Sequence, residues 1–398
     1  ALKKDLNKCE FEAYVSETGL LIKDIDFVVK KLKRWMRPNR IKTPLIHFPA
    51  KSYIYHEPYG TILIIAPWNY PLQLLISPLI GALSAGNTAI IKPSEIARNT
   101  SHVVAEIIGK HFDPEVVSVV EGSVQETTHL LNEHFDYIFY TGSAKIKKIV
   151  MENAARHLTP ITLELGGKSP CLIFGDVDLD LAAKRIVWGK FFNNGQTCVS
   201  PDYVIIQKGF KIELITKMKK YINLFYTENP QNSSDYGRII NYSHFKRLQS
   251  LYTREQILLG GHADEKDLYI SPTVLQVDDD STIMQDEIFG PLLPILEKKN
   301  LNEGLKYVLA KDKPLATYLF TKDKCIQEKV IATISTGGMC INDTIIHIST
   351  NFLPFGGVGM SGMGRYHGKF SFECFSYKKS VMKRSFLLDF NLRYPPYG

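Results

Sequence analysis

In Phe192-Asn-Asn-Gly-Gln-Thr-Cys198-Val-Ser an apolar run meets Gly195, and a cysteine follows three residues later. The Gly-Gln-Thr-Cys turn is small and polar. It can present a thiol to a cleft and aim backbone N–H groups at it, the electropositive setting in which a thiolate becomes a nucleophile. The competing reading of a lone cysteine is an inert place in the core. Glu164 stands in Ile161-Thr-Leu-Glu-Leu-Gly-Gly. Low polarity there raises a carboxyl pKa and suits the group to general-base work, although a single glutamate in a strand is more often a surface or ion-pair residue. Asn69, in Ala66-Pro-Trp-Asn-Tyr-Pro71, closes the first strongly apolar strand. Its side-chain N–H could donate to a developing oxyanion, or only make an Asx-turn before Pro71.

These residues sit in a regular alternation of elements. Residues 1–43 read as an amphipathic helical region, interrupted by Pro38 and Pro44, and 47–59 as a strand or hairpin arm. Strand-like runs at 61–66, 88–91, 116–120 and 137–140 alternate with helical patterns at 73–85, 101–112, 124–134 and 144–157. A second series begins near Gly166, with helices expected at 179–192 and 212–225 and strands at 203–207, 316–320 and 339–342. Such alternation means βαβ units, so an α/β fold with two Rossmann-like, mainly parallel sheets is expected, its ligands at the C-terminal ends of strands. No internal repeat or low-complexity tract is present.

A chain of 398 residues is long enough for two or three domains, and 44% hydrophobic with 22% charged residues is ordinary globular composition, which excludes disorder as a class. The net charge of +7 comes from scattered lysines, with short clusters at 30–34, 217–220 and 378–384. These read as solvated faces rather than a nucleic-acid surface. The six cysteines show neither CxxC nor metal-ligand spacing, so no metal is expected and a reducing compartment fits best. The opening residues lack the layout of a signal peptide, and no apolar run is long enough to span a bilayer, so the expected location is cytoplasmic.

The strings APWNYP, GNTAIIKPSE, YTGS, LTPITLELGGKSPC, WGKFFNNGQTC, SPDY, DYGRIIN, QDEIFGP, LPFGGVGMSGMGRYHGK and RYPP, in this order, carry a resemblance over essentially the whole chain. The chain resembles the aldehyde dehydrogenase superfamily, and within it the class 3 (fatty and aromatic aldehyde) branch, which YTGS, SPDY, DYGRIIN and RYHGK favour. The resemblance implies NAD(P)-dependent oxidation of medium- or long-chain or aromatic aldehydes to carboxylic acids. Cys198 would form a thiohemiacetal and then a thioester, Asn69 and the Cys198 N–H would hold the oxyanion, and Glu164 would activate water. It also implies a small β oligomerisation arm, formed by 47–59 and 372–382, and a homodimer. The implied division is a cofactor-binding domain at 1–43 and 62–166, a catalytic domain at 167–360, and oligomerisation or bridging segments at 44–61 and 361–398. A CoA-acylating dehydrogenase and a non-catalytic binding or structural relative are the alternatives. Glu164 argues against the first, and the intact Cys198, Glu164 and Asn69 against the second.

The same resemblance implies the cofactor contacts. Lys92 should meet the adenine ribose and Glu95 a ribose hydroxyl, which favours NAD, while Lys92 leaves NADP possible. Leu165 joins the cofactor set, Glu287 should hold the nicotinamide ribose, and Phe289 should pack beside it. In Thr141-Gly142-Ser143-Ala-Lys-Ile-Lys147 a strand gives way to a helix whose N–H groups can face a pyrophosphate. This turn is not GxGxxG, and Lys147 replaces the last glycine of the family's GSxxxG-like turn, so altered cofactor affinity is expected. Tyr70, Phe355 and His367 are expected to line the substrate tunnel, His367 competing with a purely structural role. The family's leading helix has no counterpart before Ala1, and its absence is expected to expose apolar surface and lower stability.

Overall fold

The computed structural model describes residues 1–397. Three larger sheets organise the described residues, beside a two-stranded ribbon of Ala263–Asp264 and Tyr269–Ile270. Strands β1 (Asn39–Ile41), β2 (Lys51–Pro58), β3 (Thr61–Ile65), β4 (Thr88–Lys92), β5 (Val117–Val119), β6 (Tyr137–Thr141), β7 (Ile161–Glu164), β8 (Pro170–Ile173) and β9 (Tyr203–Gln207) appear in chain order. A six-stranded sheet runs Gly362–Met363, β7, β6, β3, β4, β5. Its pairs from β7 through β5 are parallel, and only the short strand at Gly362 is antiparallel. β3 to β5 step outward in one direction and β6 returns to the other side of β3, so the chain reverses between β3 and β6. A crevice opens beyond the carboxyl ends of strands at such a reversal. Asn69 follows β3, the Thr141–Ser143 turn follows β6, and Glu164 ends β7 in register with Thr141.

The second sheet has seven strands in the order Ile257–Leu259, Thr273–Gln276, Leu292–Lys298, β9, β8, Ala316–Phe320, Gly338–Ile341. All its pairs are parallel except the first. Strands covered on both faces read as continuous apolar runs, as in Tyr203-Val-Ile-Ile. The periodicity at Leu292–Lys298 is broken by Pro294, and a proline disfavours a central strand. The structure accommodates it because pairing with β9 starts only at Ile295, leaving Pro294 laddered on one side, to Leu275.

The third sheet is antiparallel, β1-β2-(Ser376–Lys383), with Pro58 opposite Ser376 and Lys51 opposite Lys383. It forms the arm from the two separated segments, the second of which starts at Ser376 rather than at 372 because Lys369–Cys374 are helical. Its first half starts later than the alternation at 47–59 suggested, because Leu45–His47 form a 3₁₀ turn. Among the described residues no helix is long and apolar enough to cross a membrane.

Packing between the sheets fixes the active-site loops. Ile62 and Ile64 of β3, Ile91 of β4, Cys171 of β8 and Val204 of β9 share one core with Ile186 and Val187 of the helix Leu179–Phe191. That helix is capped at its start by the Asp178 carboxylate, which accepts from the Leu181 N–H, and it ends directly before the Cys198 loop.

Candidate active site

The helix Leu179–Phe191 is turned sharply by three consecutive left-handed residues, Asn193 (φ 51°), Asn194 (φ 58°) and Gly195 (φ 70°). Asparagine and glycine are the residues that tolerate this conformation. At Gly195 a side chain is also excluded sterically, since a Cβ would lie 2.3 Å from the Gly290 carbonyl oxygen. The turn brings Thr197 and Cys198 to the wall between two cavities. One, of about 370 Å³, is lined by Asn69, Thr141, Gly142, Ser143, Glu164 and Glu287 among others. The other, of about 220 Å³, is mostly apolar and is lined by Tyr70, Trp188, Phe192, Ile345, Phe355 and His367 among others. Cys198 lines both.

The Asn69 side-chain amide donates to the Gln196 carbonyl at 3.0 Å, which ties the loop after β3 to the cysteine loop. An amide carries two N–H groups, so one remains for another acceptor. The Asn69 Oδ1 has no partner. Tyr70 shares a 2.7 Å hydrogen bond with the Thr197 hydroxyl, which fixes the residue before the thiol. Glu164 is buried and neither carboxyl oxygen has a partner. Burial holds its carboxyl well above the ordinary range, against the opposing charge of Arg365. The Cys198 thiol is likewise pushed up, first by burial and then by the negative charges of Glu287 and Glu164, while its own N–H and that of Val199 work the other way. The electropositive surroundings expected from the Gly-Gln-Thr-Cys turn are therefore only half present. The two amides are there, but burial outweighs them and keeps the thiol protonated, with two carboxyl groups facing the same sulfur.

Glu287 reaches into this cavity because residue 166 is glycine, where a Cβ would lie 1.9 Å from the Glu287 Oε2. Its carboxyl is pushed up to about 8 by burial and by Asp202, with the Gly167 N–H opposing. Leu165 and Phe289 line the same cavity, and Phe289 meets Trp68 edge-on at 5.4 Å. The helix Ala144–Arg156 starts after Ser143 with no side-chain cap, although the Ile146 and Lys147 N–H groups donate to the Ser143 carbonyl. Helix starts of this kind attract anions. A further cavity of about 440 Å³ beyond β4 is lined by Glu95, Arg98, Glu121, Ser123 and Glu126 among others. Lys92 itself is buried and donates to the carbonyls of Pro93 (2.8 Å) and Gly122 (2.7 Å), with Glu95 at 3.9 Å.

Lys147 is placed differently from its expected role at the pyrophosphate. Its ammonium is buried, donates to the Met360 carbonyl at 3.2 Å, and is absent from the cavity lining. One helical turn beyond Ser143, a long side chain leans across to the 357–362 loop instead of toward the open helix start. Lys147→Met is therefore expected to leave the KM for NAD within about twofold of wild type, the usual range for a residue off the ligand. Titration of NAD into both proteins checks this.

His367 lines the apolar cavity, stacked on Phe355 at 5.1 Å, and burial pushes its pKa down to about 4, so it is neutral at pH 7. The sequence gives no sign of His244 and Arg247, which line the cofactor-side cavity, or of Val15, Leu20, Ile345, Ile346 and Ile348, which wall the apolar one. None carries a local motif. They reach the site only through tertiary packing.

A model of the aldehyde dehydrogenase family matches residues 2–381. The chain belongs to the aldehyde dehydrogenase family. It is similar to aldehyde dehydrogenase family 3 member H1 of Arabidopsis thaliana, at 49% identity covering all of this chain and 84% of that protein. It is similar to the dimeric NADP-preferring aldehyde dehydrogenase of Canis lupus familiaris, at 46% identity covering all of this chain and 88% of that protein. The substrate-bound structure of Staphylococcus aureus AldH superposes with a TM-score of 0.98 at 48% identity, over all of this chain and 87% of that one. This aldehyde dehydrogenase is thus an oxidoreductase of the class 3 branch, and its family is NAD(P)-dependent with a cysteine nucleophile.

Proposed function

We propose that Cys198 is that nucleophile and that the preferred substrates are medium- or long-chain or aromatic aldehydes. The observation that carries this reading is the position of Cys198 in the wall between an apolar cavity and a second one that holds the charged and hydrogen-bonding groups Asn69, Ser143, Glu164, Arg247 and Glu287. An aldehyde can enter from the apolar side, among Leu20, Trp188, Phe192, Ile345 and Phe355, with no charge on neutral His367.

The unpartnered polar atoms on the other side, the Thr141 hydroxyl and the His244 Nδ1, together with the uncapped helix start after Ser143, suit a dinucleotide. Ser143 and the first turn of that helix would hold the pyrophosphate, Glu287 the nicotinamide ribose, and Glu95 the adenine ribose. When bound, NAD supplies the hydride acceptor. The Cys198 thiol gives its proton to solvent water, the thiolate sulfur adds to the carbonyl carbon, and the alkoxide formed accepts from the free N–H of Asn69 and from the Cys198 N–H. Loss of the hydride restores a carbonyl as a thioester. Glu164, once ionised, takes a proton from water as the water oxygen attacks, and the carboxylic acid leaves with return of the sulfur to Cys198 as a thiolate. An absorbance assay for NADH with hexanal and benzaldehyde tests the substrate class. Turnover of acetaldehyde alone would contradict it.

NAD is the proposed cofactor over NADP. Glu95, Glu121 and Glu126 surround the cavity beyond β4, and carboxylates accept from ribose hydroxyls but repel a 2′-phosphate. The Lys92 ammonium is already held by two carbonyls. Glu95→Gln is expected to raise the kcat/KM ratio of NADP to NAD about tenfold, equivalent to about 1.4 kcal/mol. An unchanged ratio would place discrimination elsewhere. The proposed assembly is a homodimer through the arm, whose strand Ser376–Lys383 is an open edge of its sheet. All six thiols are free, which fits a cytoplasmic location.

A further inference from the structure

The segment Lys8–Thr18 lies far in sequence from the Cys198 loop, yet it grips both halves of the site. The Lys8 ammonium is 1% exposed and donates to Glu17 at 2.6 Å and to the Asn69 carbonyl at 3.1 Å, lying 4.0 Å over the Tyr70 ring. The other oxygen of Glu17 accepts from the N–H groups of Leu72 (2.9 Å) and Gln73 (3.3 Å), at the start of the helix Gln73–Ser84. Glu12 accepts from the Asn193 N–H at 3.0 Å, on the cysteine side. Asn193 closes the circuit, its side chain donating to the Asn69 carbonyl at 2.9 Å and to the Gln196 carbonyl at 3.1 Å.

The segment is also irregular where it makes these contacts. Residues Tyr14–Thr18 form a π-helical turn between two α-helices, and Glu17 lies on it, fully buried. Such turns cost regular hydrogen bonding and recur at functional sites. Val15 and Ser16 of the same turn wall the apolar cavity.

We infer that Lys8, Glu12 and Glu17 form a buried clamp that positions Asn69 against the Cys198 loop, an inference that rests on the reading of Asn69 as oxyanion donor. They are positioning residues, since none lines the cofactor-side cavity that Asn69 and Cys198 share. Lys8 and Asn193 fix the backbone of Asn69 while Gln196 fixes one N–H of its amide, so the second N–H is left with a single direction. Loss of the Lys8 contact frees the loop to move by an ångström or so without emptying the site.

Breaking a buried ion pair also destabilises a fold, so the test separates position from stability. The kcat for hexanal is measured for Lys8→Met, Asn69→Ala and the double variant, with Tm and the KM for NAD alongside. Asn69→Ala is expected to lower kcat about 10²–10³-fold. Lys8→Met is expected to lower it about 10–10²-fold, the scale of a 1 Å misplacement, with the KM for NAD unchanged. The double variant is expected to be no slower than Asn69→Ala alone. If the two losses multiply, or if folded Lys8→Met keeps wild-type kcat, the clamp is overturned while the oxyanion reading stands. If Asn69→Ala leaves kcat unchanged, the oxyanion reading fails and the clamp with it. Should Lys8→Met not fold, the pair Lys8→Met/Glu17→Gln, which leaves neither charge unpaired, carries the same comparison.

Discussion

Cys198→Ala is expected to abolish NADH formation, with a loss of about 10⁴–10⁶ in kcat, the scale at which removing a nucleophile leaves only binding and electrostatic stabilisation. NAD affinity should be retained, because Ser143, Glu95 and Glu287 are untouched. A steady-state assay with hexanal, paired with NAD titration, reads both. The wild-type thiol is held up by burial and by Glu287 and Glu164, so it is protonated at neutral pH in the free enzyme. Its alkylation by iodoacetamide should accelerate with rising pH across the alkaline range. A flat profile between pH 6 and 9 would contradict a thiol held up by burial.

The second large effect is at Glu164. Glu164→Gln keeps the shape of the side chain and removes its ability to accept a proton. Hydride transfer comes before the water step, so the variant is expected to give a burst of about one NADH per site. Turnover should then be slowed about 10²–10⁴-fold, the usual contribution of a general base. Loss of the burst would assign Glu164 to an earlier step.

The same substitution should raise stability at alkaline pH. Burial holds the folded carboxyl above its ordinary 4.5, so between pH 4.5 and the folded value the native state keeps a proton that the unfolded state has lost. Stability therefore falls with rising pH over that window, and the cost is complete above it. Glutamine carries no such cost. The Tm of Glu164→Gln should exceed that of wild type by a margin that increases as the pH rises above 5, the mark of a strained group kept for function.

Some of this was legible from local sequence. The Ile-Thr-Leu-Glu-Leu run implied a buried carboxyl, and burial does raise Glu164. The strand after Gly60 and its polar end placed Asn69 at a carboxyl edge, where it lies in the structure. Other features depend on partners distant in the chain. Nothing around Lys8 or Glu17 signals that they meet residues 61 and 55 positions away. The strand Leu292–Lys298 has no place among the elements expected from sequence, because Pro294 disfavours a central strand locally while the ladder that tolerates it is tertiary. Lys147 was legible as a departure, but which neighbour its ammonium would find was not. The charge at the thiol was misjudged for the same reason, since Glu287 arrives from 89 positions downstream through the space left by Gly166.

The most direct test is the mass of the trapped intermediate. Glu164→Gln is mixed with NAD and hexanal, acid-quenched during the slow phase, digested, and the peptide containing Cys198 is weighed. The expected result is a hexanoyl increment on that peptide, confined to Cys198 and lost in Cys198→Ala. An unmodified Cys198 peptide, or an acyl group on another of the six cysteines, would contradict the assignment of Cys198 as the nucleophile.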